Sequence, residues 1–304
     1  MERSVFVLLI GDSEGRPVDL YQKLQEADAL LTARAAGCKV EVRWATNLDQ
    51  YGVLRTRLAA GALDAAVVEP ASVATASLML GQLKGRTGLV LLNVWDPAFA
   101  EPMARWGTGH PVATISQPQT HIGEIQGRQV SAAMPQKAQV LVITGPMRSS
   151  AARERLEGLR AALRSGISLQ TAEAGQWTEA DGILAFNSWY GSRTSGEPIQ
   201  AIVGHSDDLA VGAYKAASAV PNPAQAAGFR SARLFGVGAV PGYGREMVDE
   251  GTLAASVAVR PNAGQAIALL KQFWADGRSL PVRSDSEAAA YPASSLQGKA
   301  PVRS

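Results

Sequence analysis

Arg148, Arg153 and Arg155 cluster in the segment from Gln139 to Leu163, where QVLVIT leads through GPMRSS into AARERLEGLRAAL. A guanidinium presents a planar fork of N–H donors, so arginines gathered at one spot are suited to hold a ligand rich in oxygen atoms. The β-branched start of the segment predicts a strand, Gly145 and Pro146 a turn, and Leu156, Leu159 and Leu163 a helix that Ser149 or Ser150 is placed to cap. In an open α/β sheet ligands bind just beyond the carboxyl ends of the strands, which is where this turn puts the arginines. Arg155 is two residues beyond Arg153 and reads as a solvated charge on another helix face, with Arg148 at the rim.

Other kinds of chemistry find little support. His110, His121 and His205 are far apart and lack the paired spacing of a metal site, so no metal is expected. Cys38 is the single cysteine, which excludes an intramolecular disulfide, and its small-residue surroundings read as packing. No G-x-S-x-G elbow and no G-x4-G-K-[ST] loop occurs. Gly236, Gly238, Gly242 and Gly244 resemble a dinucleotide fingerprint, but Pro241 stands where the third glycine should be, and a glycine-rich loop after a strand is the competing reading. Asp207 and Asp208 fall at a helix start, where capping and the helix dipole account for them. Neither an enzyme nor a cofactor is expected.

The bulk numbers set the frame. With 304 residues, 46% hydrophobic and 18% charged, the chain is long enough for two domains. A net charge of +2 gives no general attraction to nucleic acid, and no apolar run approaches the ~20 residues of a membrane span. Residues 1–10, MERSVFVLLI, carry one Arg and a short apolar run with no small-residue cleavage site, and are read as a first strand.

The elements that must position the arginines alternate from the start. Strands are expected at 4–10, 39–43, 65–68 and 89–92, with helices at 20–36, 47–60 and 71–83. Residues 94–120 hold four prolines and read as a long loop ending in a crossing strand. The rhythm then restarts, with helices at 122–134, 150–164, 178–186, 207–218 and 242–250 alternating with strands at 138–143, 168–172, 199–203, 233–237 and 253–259. A helix at 263–274 follows, and the tail from Ser284 is expected to run over the surface. Such alternation calls for two doubly wound parallel sheets. The expected domains are 1–117 plus 259–283 and 118–258, with 284–304 as the tail.

Two such sheets would face each other across a cleft walled by the residues just past their strands. From the first half these are Tyr21, Gln22, Glu69, Asn93 and Trp95; from the second, Arg148, Arg153, Trp177, His205, Ser206 and Gly238. Aromatic faces mixed with acids, amides and arginine suit a polyhydroxylated ligand, a sugar or polyol. Simpler roles compete: loop packing for Trp95, a hydrophobic staple for Trp177 and a helix cap for Glu69.

The segments SSAARERLEGLRAAL, QWTEADG, AIVGHSDDLAVGAYKA and LFGVGAVPGYGREMVDEGTLAASVAVRPNAGQAIALL, in that order, resemble the type I periplasmic binding proteins for ribose and related sugars. They also resemble the effector domains of lactose-repressor-type regulators. The resemblance implies two α/β domains joined by three crossings that close on a sugar. It places the ligand-gripping arginine at Arg153, the aromatic at Trp177, the polar residue after strand three at Glu69 and the Asn or Asp after strand four at Asn93. Tyr21 and Gln22 fall near the family's aromatic pair. Ser206 stands for a usual Asn, Gly238 for a usual Asp and Val259 for a common Gln. These changes remove hydroxyl contacts and point to a ligand larger or less polar than a pentose.

The resemblance therefore implies a monomeric receptor for a small-molecule ligand, working with an ABC permease. It further implies a periplasmic location, although no signal peptide is visible. The alternative is a cytoplasmic or signalling effector domain. A basic helix-turn-helix would precede the first strand of a repressor, and here the strand begins near Ser4, so no nucleic-acid partner is expected.

Overall fold

The computed structural model describes residues 2–107, 109–193 and 198–297. The chain opens with β1 (Arg3–Ile10), α1 (Leu20–Ala36), β2 (Cys38–Ala45), α2 (Gln50–Ala59), β3 (Ala65–Val68), α3 (Val73–Leu83) and β4 (Gly88–Leu92). Residues 94–120, expected as a loop ending in a crossing strand, do end in a strand, β5 (Val112–Ser116), which pairs in parallel with β4, but the loop before it also holds the short helix α4 (Ala100–Ala104). Pro97 and Pro102 interrupted the periodicity but are tolerated in the first turns of short helices.

A second run follows: α5 (Gln119–Ala133), β6 (Ala138–Thr144), α6 (Ser150–Ala162), β7 (Ile167–Glu173), α7 (Glu179–Ser192), β8 (Ala201–Gly204) and α8 (Asp207–Ser218). It continues with α9 (Pro223–Arg230), β9 (Arg233–Gly238), α10 (Gly244–Asp249) and β10 (Ala255–Val259). The helix α9 was not anticipated. Its signal was present in Asn222, whose side chain caps the Ala224 and Gln225 amides, and in Pro223 at the first helical position.

The chain then returns through α11 (Ala263–Asp276) and β11 (Arg283–Asp285), which joins the first sheet beside β5, and ends its described part in β12 (Ala288–Tyr291), antiparallel to β10. The stretch from Ser284 is thus not simply a surface tail. It contributes to both sheets, and Ser295 is buried; its last residues, 298–304, lie outside the described residues.

Two units result, Met1–Gln117 with Pro261–Ser286 and Pro118–Arg260 with Glu287–Ser304, so the chain passes between them three times. The strand orders are β11-β5-β4-β3-β1-β2 and β12-β10-β9-β8-β6-β7. All neighbours are parallel except β10 and β12. The central strands β1, β3, β4, β6 and β8 are covered on both faces and are accordingly almost continuously apolar, whereas the edge strand β2 alternates, with Lys39, Glu41 and Arg43 between its apolar residues. In β3, Ala66 and Val68 enter one core cluster while Ala65 and Val67 enter the cluster on the other side.

Candidate functional site

The carboxyl edge of the first sheet gathers a connected set of side chains within the first unit. Asp19 caps α1 by accepting from the Gln22 amide at 2.8 Å, which fixes the first turns of the helix so that Tyr21, Gln22 and Gln25 meet the strand ends. Glu69 follows β3 directly. Its backbone is tied on both sides, with N–H donated to Leu8 O and its carbonyl accepting from Gln50 Nε2 at 2.8 Å. Asn93 follows β4 in the left-handed region, at φ 56°, a conformation that Asn tolerates better than most residues.

The Glu69 carboxylate accepts from Asn93 Nδ2 at 2.9 Å, Gln22 Nε2 at 3.2 Å and Gln25 Nε2 at 3.3 Å. Tyr21 Oη accepts from Gln117 Nε2 at 3.0 Å and from Gln25 Nε2 and Asn93 Nδ2 at 3.2 Å each. Buried Asn262 closes the circuit, donating to Asn93 Oδ1 and accepting from Gln25 Nε2, both at 2.9 Å. Glu69 is 6% exposed. Burial pushes its carboxyl up to about 7 against the opposing pull of the Asn93, Gln22 and Gln25 hydrogen bonds, with the nearby Asp19 charge raising it further.

Four of the five residues expected from the first half, Tyr21, Gln22, Glu69 and Asn93, therefore belong to one network. Trp95 stands outside it. Its ring meets Phe99 edge-on at 6.2 Å, lies under the Arg283 guanidinium at 5.4 Å and packs against the first unit's core.

The second unit's edge is built on the close packing of α5 against α6. A Cβ on Gly158 would run into the Thr120 carbonyl, and one on Gly123 into that of Arg155, so the two helices touch backbone to backbone. The buried stripe of α6 runs through Ala152, Arg155, Leu156, Gly158 and Leu159, of which Arg155, Gly158 and Leu159 come up against α5. Arg155 is consequently not the solvated charge expected. It is 9% exposed, donates from Nε to Gln119 Oε1 at 2.7 Å and from Nη1 to the His205 carbonyl, and stacks over Trp177 with its guanidinium carbon 5.2 Å from the ring centroid.

Arg153 is exposed and donates to the Met147 carbonyl at 2.8 Å; Arg148 is exposed and donates to that of Gly175 at 3.1 Å. Ser149 occupies the cap position of α6 without a side-chain cap bond, so the expected capping by Ser149 is absent. Trp177 is half-buried and its ring lies against Gly145, with Thr178 capping α7 behind it. Ser206 caps α8, and its hydroxyl is 3.4 Å from the Trp177 carbonyl. Burial, with the Arg155 charge as the second cause, pushes His205 down to about 3, so its ring is neutral.

Three glycines of the run, Gly236, Gly238 and Gly244, pack around an acid. Asp207 is buried, accepts from the Ala239 amide at 2.8 Å and from Ser256 Oγ at 2.7 Å, and is pushed up to about 6 by burial. A Cβ on Gly236, Gly238 or Gly244 would collide with its carboxylate, so these glycines make room for Asp207. Gly238 thus borders the edge without offering a side chain, and the sequence reading of Asp207 as a helix-start charge missed its burial.

Residues 32–278 match the model of the periplasmic binding protein domain. The chain belongs to this family. Two solved structures share the fold of this periplasmic binding protein domain. The fructose-binding periplasmic domain of a hybrid two-component system superposes with a TM-score of 0.78 at 20% identity, covering 97% of this chain and 93% of that one. An ABC transporter solute-binding protein from Actinobacillus succinogenes with bound D-allose gives 0.78 at 17% identity, covering 97% and 99%. The ribose import binding protein RbsB of Escherichia coli (strain K12) is 29% identical over 154 residues, 51% of this chain and 49% of its own length. Across two curated relatives the match spans 58% and 49% of their length. Members of the family are binding proteins, and among the described residues no helix is long and apolar enough to cross a membrane.

Proposed function

We propose that the chain is a solute-binding receptor that captures a carbohydrate-like small molecule, a sugar or polyol, and delivers it to an ABC permease. The observation that carries the reading is the first unit's network of Tyr21, Gln22, Glu69 and Asn93, whose donors and acceptors are held in fixed orientations at the strand ends. Fixed polar groups lower the ordering cost of binding a ligand whose own surface is mostly hydroxyl. Asn93 and Tyr21, both half-buried, are proposed to meet the ligand from this wall. Arg153, Trp177 and Ser206 are proposed to meet it from the second, where the exposed Arg153 fork supplies donors to hydroxyl or ring oxygens. A ligand that takes bonds from both units favours the arrangement in which both reach it, which is how capture becomes a signal to a partner.

The protein is proposed to work as a monomer in the periplasm. A second reading, as the sensing domain of a signalling protein, is favoured by one observation, the likeness to the periplasmic domain of a two-component system. A thermal-shift panel of ribose, glucose, galactose, allose, fructose and myo-inositol tests the shared claim. A ligand at a hundred times its Kd stabilises by about 2.7 kcal/mol, a shift of several degrees. Silence across the panel would count against both readings.

A further inference from the structure

We infer, building on the receptor reading, that the ligand presents a compact cationic group, a primary ammonium, to Glu69. The cage around this carboxylate is built for an anion. Gln22 Oε1 accepts from the Ile10 amide at 3.1 Å, and Gln25 Oε1 accepts from the Asn262 and Ala263 amides at 2.9 Å each. Asn93 Oδ1 accepts from Asn262 at 2.9 Å. Each amide oxygen is thereby committed elsewhere, so each amide nitrogen must point at Glu69, and three N–H donors converge on it.

What the cage lacks is a counter-charge. Among the described residues no Lys or Arg forms an ion pair with Glu69, and the charged group that acts on it, Asp19, is an acid like itself. A buried carboxylate held by neutral amides alone carries a desolvation cost that only a positive partner offsets well. A hydroxyl needs no more than a neutral acceptor, which Asn or Gln at this position would provide without that cost. An ammonium brings the missing charge and up to three donors, and the carboxylate, with about four acceptor sites, has one left to give. With 6% of the residue exposed, only a small group reaches it, which favours a primary ammonium over a guanidinium or a substituted amine.

The test compares matched pairs by calorimetric titration at pH 7: glucosamine with glucose, galactosamine with galactose, and an amino-inositol with myo-inositol. At least one amine should bind about tenfold or more tightly than its neutral partner, and Glu69→Gln should erase that preference. Neutral compounds binding as well as the amines would overturn the inference while leaving the receptor reading intact. If nothing in either set binds, the receptor reading falls and the inference with it.

A readout on the unaltered protein guards against a variant that does not fold. Affinity for the amine should fall about tenfold or more from pH 7.5 to 5.5 as Glu69 takes up a proton, and affinity for the neutral partner should fall less. Of the titratable groups on the surrounding elements, Asp19 acts on Glu69 through its charge and Tyr21 shares Asn93 and Gln25 with it. Equal pH dependence of the two compounds would overturn the inference.

Discussion

Replacing Glu69 by Gln should reshape the dependence of stability on pH. Burial and the neighbouring Asp19 hold the folded carboxyl at about 7, against an ordinary value of 4.5. Below pH 4.5 the group carries its proton in both folded and unfolded chains and contributes no pH dependence. As the pH rises the unfolded chain ionises first, so the folded state binds more protons and stability falls until the folded group ionises too. At about 1.4 kcal/mol for each pH unit, the window from 4.5 to about 7 amounts to roughly 3 kcal/mol. The assay is urea unfolding of both proteins from pH 4 to 8, read as the difference between the two profiles. The wild type should lose about 3 kcal/mol relative to Glu69→Gln across that window and nothing further above it. Parallel profiles would refute the argument that burial without a counter-charge governs this side chain.

Asp207→Asn should give a difference profile of the same sign and about 3 kcal/mol over the window from about pH 4 to 6, because Asp207 is likewise raised by burial; a flat difference in urea unfolding would contradict it. Arg155→Leu leaves Gln119 Oε1 and the His205 carbonyl without their donor and should cost about 2–4 kcal/mol in denaturant unfolding. Arg153→Ala, on an exposed side chain, should cost under about 0.5 kcal/mol while removing the ligand-induced thermal shift, and a retained shift would take Arg153 out of the proposed site. Gly158→Ala forces a methyl into the Thr120 carbonyl and should destabilise by about 2 kcal/mol or more.

The alternation of elements was legible because the central strands are buried on both faces and the helices between them on one, so period and composition changed at most boundaries. Helix α1 and strand β3 carry the residue ranges expected, since Asp19 and Gly37 cap the one and the AAVV run makes the other unmistakably apolar. The shorter elements escaped. α4 lies among prolines that masked its periodicity, and β11 and β12 are three and four residues long and take their stability from sheet partners distant in sequence.

In the site, chemistry was easier to read than burial. Tyr21, Gln22, Glu69 and Asn93 could be picked from their places after strand ends, but their partners Gln25, Gln117 and Asn262 could not, because a glutamine earns its place only through the orientation of its amide. Gln25 had a signal, standing three and four residues beyond Gln22 and Tyr21 on the same helix face. Arg155 had one too, since Ala152, Leu156 and Leu159 mark the buried stripe on which it lies. Its charge argued for solvent, and the stripe argued for the interior. The glycine approach of α5 to α6 decided for the interior.

Receptor function stands or falls most directly on an equilibrium titration of the purified chain with the neutral and amino sugars and cyclitols named above, followed by recovery of the ligand. At least one of them should bind saturably at one site per chain, and the ligand should be recovered unchanged. No binding across both sets, or recovery of a converted product, would contradict it.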